Sequence, residues 1–208
     1  MAALTPEHYL VNPCRAASLP YWKAVSVQVP PFMRILHHDD YDPSLYAGFH
    51  DEPYFRLYHS LQDIQEPPLP EGFSFSQATP EEFSAHIAAC YEHIGISADD
   101  LRGCMQRAVY HPELWLVIRD AHGAIAASGI ADLDRSIGEG ILEWIQVSDD
   151  HRRQGLGRCM VTELLRRMAC EARFATVSGQ CHNPTCPEQL YRACGFTGRD
   201  VWHILQKQ

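Results

Sequence analysis

The sequence predicts an α/β fold, a mixed β-sheet with helices on both faces. Three observations predict it. Residues 140–168 read in succession as strand, short turn, glycine loop and helix. A further strand follows that helix, and a helix crossing over between two strands makes them parallel. From residue 73 onward the apolar segments run in the order β-α-α-β-β-β-α-β-α-β.

Residues 1–70 differ from the rest. Prolines are dense, from Pro13 and Pro20 through Pro30, Pro31, Pro43 and Pro53 to Pro67, Pro68 and Pro70. Proline fixes φ and removes a donor, so long helices are not expected before Pro53. Tyr41, Tyr46, Phe49, Tyr54, Phe55 and Tyr58 need burial, which argues against a disordered tail. Residues 25–29 alternate like a short strand and 32–36 like another. Residues 54–64 are expected to be a helix, with Phe55, Leu57, Tyr58, Leu61 and Ile64 on one broad face. Residues 66–72 form a stiff, proline-rich connector. Residues 1–70 are therefore read as an N-terminal extension packed on a domain of residues 71–208. His37, His38, Asp39 and Asp40 read as a solvated loop, because sequence neighbours rarely converge on one ion.

Within 71–208, residues 73–77 alternate like a strand. Thr79-Pro80-Glu81-Glu82 opens a helix: Thr79 caps, Pro80 takes the first helical position and Glu82 completes a capping box. That helix carries Phe83, Ile87, Cys90, Tyr91 and Ile94 inward and stops at Gly95. Ser97 opens a second, with Asp100 at the matching position, running to about Val109. Residues 114–118 form a strand, 120–123 a hairpin turn, 124–131 the returning strand and 132–138 another turn. Residues 141–147 are the central strand, rich in β-branched and aromatic side chains. Met160, Leu164, Leu165 and Met168 give the following helix its apolar face. Residues 174–178 are a strand, 187–194 a short helix ended by Gly195, and 201–205 a last strand.

Between the central strand and its helix lies Arg152-Arg153-Gln154-Gly155-Leu156-Gly157-Arg158. Two glycines at a helix mouth let the backbone approach a ligand. The first-turn N–H groups have no partner inside the helix and carry the positive end of its dipole. Three arginines add charge, and the physical reading is a pyrophosphate cradle. It is not a P-loop, since Arg158-Cys159 stands where Lys-Ser or Lys-Thr would be needed. Nor is it the dinucleotide fingerprint, whose third glycine is replaced by Met160.

The totals bound the rest. The 208 residues allow one domain plus an extension, or two small ones, and 46% hydrophobic content suits a globular core. A formal net charge of −9 argues against nucleic acid as the main partner and mildly favours a cationic, amine-bearing substrate. No apolar run is long enough to span a bilayer, so no membrane partner is expected. The first residues lack the basic start and apolar stretch of a signal peptide, and a cytoplasmic location follows by default. The eight scattered cysteines are read mostly as small buried hydrophobes. Cys181, His182 and Cys186 lack a second Cys/His pair at zinc-finger spacing, so no metal is expected.

Arg152-x-x-Gly155-x-Gly157, after a strand and opening a helix, resembles the Gln/Arg-x-x-Gly-x-Gly/Ala signature of the GNAT superfamily of acyl-CoA N-acyltransferases. Leu190-Tyr191-Arg192-Ala193-Cys194-Gly195-Phe196 is similar to that family's closing Leu-Tyr-x-x-x-Gly-Phe. The resemblance covers roughly residues 72 to 206. The opening segment, through Asn12-Pro13-Cys14 and Leu19-Pro20-Tyr21-Trp22-Lys23, resembles a bacterial subgroup with an extra N-terminal segment.

The resemblance implies a twisted mixed sheet whose central strands, 141–147 and 174–178, splay apart around the pantetheine arm of acetyl-CoA. It implies that Arg152, Arg153, Gln154, Gly155, Leu156, Gly157 and Arg158 hold the diphosphate. Backbone groups of Ile145 and Val147 would bond the pantetheine amides in strand fashion. Asn183 matches a cofactor-contacting Asn, with one residue more than usual before Tyr191 and with Pro184 and Pro187 at the helix start. Tyr191 matches the general acid that faces the sulfur. Glu143 is the candidate base, with Glu139 or a water chain as alternatives. Strict alternation puts Glu143 on the face of Ile145 and Val147, unless a bulge intervenes, and its flanks Leu142 and Trp144 would desolvate it and raise its pKa. Gln146 falls on the opposite face, and Trp202 and His203 lie either in the core or on the acceptor side.

The implied activity is acetyl transfer from acetyl-CoA to a primary amine of a small molecule or peptide, with a homodimer as one compatible assembly. Two other readings stay open. One is a non-catalytic acyl-CoA-binding regulator; the other is a transferase for a longer acyl group or a non-amine acceptor.

Overall fold

The structure is a computed structural model that describes residues 4–91 and 95–207. Three short helices come first: α1 (Pro6–Val11), α2 (Pro13–Ala16) and α3 (Tyr21–Ala24). Strands β1 (Met33–His37), β2 (Phe49–His59) and β3 (Ser74–Ser76) precede helices α4 (Pro80–Cys90) and α5 (Ala98–Cys104). Strands β4 (Trp115–Arg119), β5 (Ile125–Asp134) and β6 (Glu139–Val147) lead to helix α6 (Leu156–Met168). The chain ends with β7 (Phe174–Gln180), α7 (Pro187–Ala193) and β8 (Thr197–Lys207). From β3 on, the order is the one the sequence predicts. No described helix is long and apolar enough to cross a membrane.

The chain divides into two compact units, Met1–His59 with Thr176–Gln208, and Ser60–Ala175. In the second, β3, β4, β5 and β6 are antiparallel neighbours in that order. Helix α4 starts where its capping box requires: Glu82 N–H donates to Thr79 Oγ1 at 3.2 Å and Thr79 N–H to Glu82 Oε2 at 2.8 Å. The β4–β5 turn is closed by Asp120 Oδ1, which accepts from the N–H groups of His122 and Ala124 at 2.9 Å each. One face of this sheet carries Phe83, Ile87 and Leu101 of α4 and α5 against Trp115, Val117 and Ile130.

The other face carries α6, whose Met160, Leu164, Leu165 and Met168 are all buried. Glycines let it sit close. A Cβ on Gly129 would lie 2.6 Å from Met160 Sδ, and one on Gly140 would lie 2.5 Å from Met168 Sδ.

In the first unit β8 is central. It pairs antiparallel with β1 on one side and with β2 on the other, and β7 lies beyond β2. Helices α1 to α3 are short, in keeping with the proline density. Two expectations fail here. Residues 54–64 are not a helix, because 54–59 belong to β2. Phe55, Arg56, Leu57 and His59 are all buried, so both faces of this strand are covered. Such a strand loses the alternation that would have distinguished it from a helix. Residues 25–29 alternate but pair with nothing regular, and Val25, Val27 and Val29 are exposed.

Two helices also end early. Helix α4 ends at Cys90 with Tyr91 extended behind it, and Ile94 lies outside the described residues. Helix α5 ends at Cys104 rather than near Val109. None of the eight cysteines, all among the described residues, is joined in a disulfide, and only Cys14, Cys159 and Cys194 are buried.

Candidate active site

Strand β6, the loop after it and α6 form one continuous piece of the Ser60–Ala175 unit. After Val147 the chain leaves the sheet through Ser148, whose N–H donates to Ala126 O at 2.9 Å. A short 3-10 turn over Asp149–His151 follows. Arg153 and Gly155 then take left-handed conformations, with φ of 65° and 85°. Gly155 is the N-cap of α6 and offers no side chain to it. The first helical bond runs from Cys159 N–H to Gly155 O, so the N–H groups of Leu156, Gly157 and Arg158 have no acceptor within the helix.

The loop is open. Arg152, Arg153, Gln154, Gly155 and Arg158 are exposed, Gly157 is half-buried, and Leu156 is buried as the anchor beneath them. A Cβ built on Gly155 meets nothing within 4 Å. Arg152 is held by Asp149 at 2.7 Å. Among the described residues, neither Arg153 nor Arg158 has an acidic partner. Bare amides, a 13-residue helix dipole and two uncommitted guanidinium groups fit a diphosphate.

The register of β6 against β5 shifts once. Trp144 pairs with Ile130, but Leu142 pairs with Ala131, which leaves Glu143 as the extra residue of a bulge. Counting back from Ile145 by twos therefore does not fix the direction of Glu143, and simple alternation fails there. Ile145 pairs with Gly129, whose missing Cβ would point at α6, so Ile145 and Val147 lie on the α6 face. Trp144 packs with the α4–α5 core and meets the Tyr91 ring at 6.2 Å. Glu143, Ile145 and Val147 are half-buried, whereas Glu139, at the start of β6, is fully buried.

Beneath the end of β6 lies a polar cluster that no sequence pattern announced. His86 of α4 reaches Ser128 Oγ through Nδ1 at 2.8 Å and Ser148 Oγ through Nε2 at 2.9 Å. Gln146 Nε2 donates to Ser128 Oγ. Burial, helped by the charge of His151, pushes the His86 pKa down from 6.5 to about 4, so the ring is neutral at ordinary pH. Burial also pushes up the neighbouring Cys90 thiol and Tyr91 phenol.

Tyr191 and Asn183 belong to the other unit. Tyr191 lies in α7, only 7% exposed, with Phe55 and Phe196 rings at 6.2 and 5.8 Å. Gly195, at φ 94°, ends the helix, and Phe196 N–H returns to Tyr191 O at 3.1 Å. Asn183 Oδ1 accepts from Thr185 N–H at 2.9 Å and Thr185 Oγ1 at 2.7 Å, so it shapes the loop before α7. Trp202 donates to Cys14 O at 2.8 Å. His203 is buried and bonded to Asp51 and to His38, at 2.9 and 3.0 Å. Among the described residues no three His, Cys, Asp or Glu side chains converge as metal ligands.

Residues 111–198 match the family model described as acetyltransferase (GNAT) domain. No curated protein matches the sequence. Among solved structures, the chain is similar to a GCN5-related N-acetyltransferase from Sphaerobacter thermophilus. Identity is 17% and the TM-score 0.68, over 86% of this chain and 61% of that one. It is also similar to a Drosophila protein, at 18% identity and TM-score 0.60, over 78% of this chain and 53% of that one. A third is a GCN5-related N-acetyltransferase from Kribbella flavida, at 18% identity and TM-score 0.56, over 84% and 67%. At such identities the likeness shows the fold. The chain spans less than two thirds of the length of the first two.

Proposed function

We propose that this chain, whose residues 111–198 match the acetyltransferase (GNAT) domain model, is an acetyltransferase of that kind and transfers an acetyl group from acetyl-CoA to a primary amine of a small molecule or peptide. The observation that carries this reading is the exposed, glycine-opened N-terminus of α6 directly after the bulged strand β6.

Acetyl-CoA supplies an activated thioester. The first-turn amides of α6, with Arg153 and Arg158, bind its diphosphate, and Arg152 and Gln154 border that cradle. Gly157 leaves room for backbone approach. Backbone groups of Ile145 and Val147 bond the pantetheine amides along β6, with Asn183 as a further contact. A backbone N–H of β6 stabilises negative charge on the carbonyl oxygen. Glu143, directly or through water, takes the proton that the ammonium must lose before it attacks. Tyr191 gives its phenolic proton to the departing sulfur; an ordinary phenol, with a pKa near ~10, is protonated at neutral pH.

A thiol-release assay with acetyl-CoA and a panel of polyamines, aminoglycosides and peptides tests the proposal. Release that depends on one class of amine supports it and names the acceptor. Tight CoA binding without turnover on any amine would favour the regulator reading. Turnover with succinyl- or malonyl-CoA but not acetyl-CoA would favour a longer acyl donor.

A further inference from the structure

We infer that His86 is a positioning residue that fixes the exit of β6, and with it the loop that opens α6. One arrangement of hydrogens keeps the four contacts of the cluster together. Ser148 Oγ donates to Ile125 O at 3.0 Å, which uses its only hydrogen. Its contact with His86 Nε2 at 2.9 Å must then be an N–H donated by the ring. A neutral ring protonated at Nε2 leaves a lone pair on Nδ1, and Ser128 Oγ donates to it at 2.8 Å. Ser128 Oγ accepts in turn from Gln146 Nε2. One tautomer therefore ties α4, β5 and the last turn of β6 into a directed chain of bonds.

The position of Ser148 makes this chain consequential. Ser148 is the last residue held by β5, and the turn leading to Arg152 hangs from its carbonyl, which accepts from His151 N–H at 2.9 Å. Beyond it, Arg153 and Gly155 are held in left-handed conformations up to the helix cap. His86 braces this exit from the α4 side, while α6 packs on the opposite face of the sheet. The ring needs no contact with the cofactor or acceptor to act; it limits where the diphosphate-binding amides stand. The consequence for turnover rests on the acetyl-CoA reading, whereas the bracing of the loop does not.

The test compares His86→Leu, His86→Gln and Ser148→Ala with the wild-type chain. Leucine fills the space without bonding, and glutamine can return a donor toward Ser148. Hydrogen exchange of residues 148–157, measured without cofactor, reads the bracing. The acetyl-CoA KM and kcat read its consequence. In His86→Leu and Ser148→Ala, exchange in this segment rises and the KM increases roughly fivefold, the scale of one lost hydrogen bond, while kcat stays within about twofold. His86→Gln recovers most of both effects. Folded variants with unchanged exchange in 148–157, or a glutamine variant no better than leucine, overturn the inference. A wild-type chain that binds no CoA defeats the acetyl-CoA reading instead, and the exchange data still decide the bracing.

Discussion

Gly155 sits at φ 85° and ψ −5°, and a Cβ there faces open space. Substitution therefore separates backbone strain from charge. Gly155→Ala carries only the left-handed penalty of an L-residue, about 1–2 kcal/mol. In a chain of this size that lowers the melting temperature by about 2–4 °C per kcal/mol. Gly155→Gln adds neutral bulk, and Gly155→Glu adds the same bulk with a negative charge. A carboxylate about 5 Å from a diphosphate charge, at an effective dielectric of about 20, is repelled by about 3 kcal/mol. The expected result is that Gly155→Glu binds CoA roughly a hundredfold more weakly than Gly155→Gln, with equal melting temperatures. Isothermal titration of CoA into each variant measures this, and the gap should shrink as salt rises, since the site is exposed. Equal affinities for the glutamate and glutamine variants would remove the diphosphate from the mouth of α6.

Tyr191→Phe deletes only the hydroxyl and keeps the ring between Phe55 and Phe196. It should lower kcat about a hundredfold with CoA affinity unchanged, and equal rates would reduce Tyr191 to packing. Gly129→Ala forces a Cβ to within 2.6 Å of Met160 Sδ and 2.9 Å of Leu164 Cδ1. It should cost about 1–3 kcal/mol in a urea melt, and wild-type stability would mean that α6 can lift without loss. His86 has its folded pKa depressed from 6.5 to about 4. The unfolded chain takes up this proton first, so the stability from this site is complete above pH 6.5 and is lost as pH falls toward 4. The shift sets an upper bound of about 3 kcal/mol. Urea melts at about pH 7 and about pH 4.5 should show a smaller difference for His86→Gln than for wild type, and identical differences would show that His86 is not the group responsible.

The order of elements after residue 73 was legible because each carries a local signal. Thr79 to Glu82 spell a capping box, Asp120 and Gly123 a tight turn, and Met160 to Met168 one helical face. The glycine loop was legible because Gly155 supplies a positive φ that other residues adopt reluctantly. Strand β2 was misread as a helix because Phe55, Arg56 and Leu57 are all buried, which erases the period-two pattern. The direction of Glu143 could not be counted from sequence, since the bulge depends on where β6 meets β5.

By itself the sequence determined the chain's local vocabulary: where helices start, where turns close, and where a helix opens on a glycine with no side-chain cap. These follow from short-range rules of backbone geometry and spacing. Tertiary structure alone decided that residues 33–37 and 49–59 flank the last strand, and that α6 lies against two glycines. It also decided that His86, Ser128 and Ser148 meet. Those pairings join residues tens of positions apart, and their hydrogen bonds exist only once packing has removed the water that would otherwise satisfy each group.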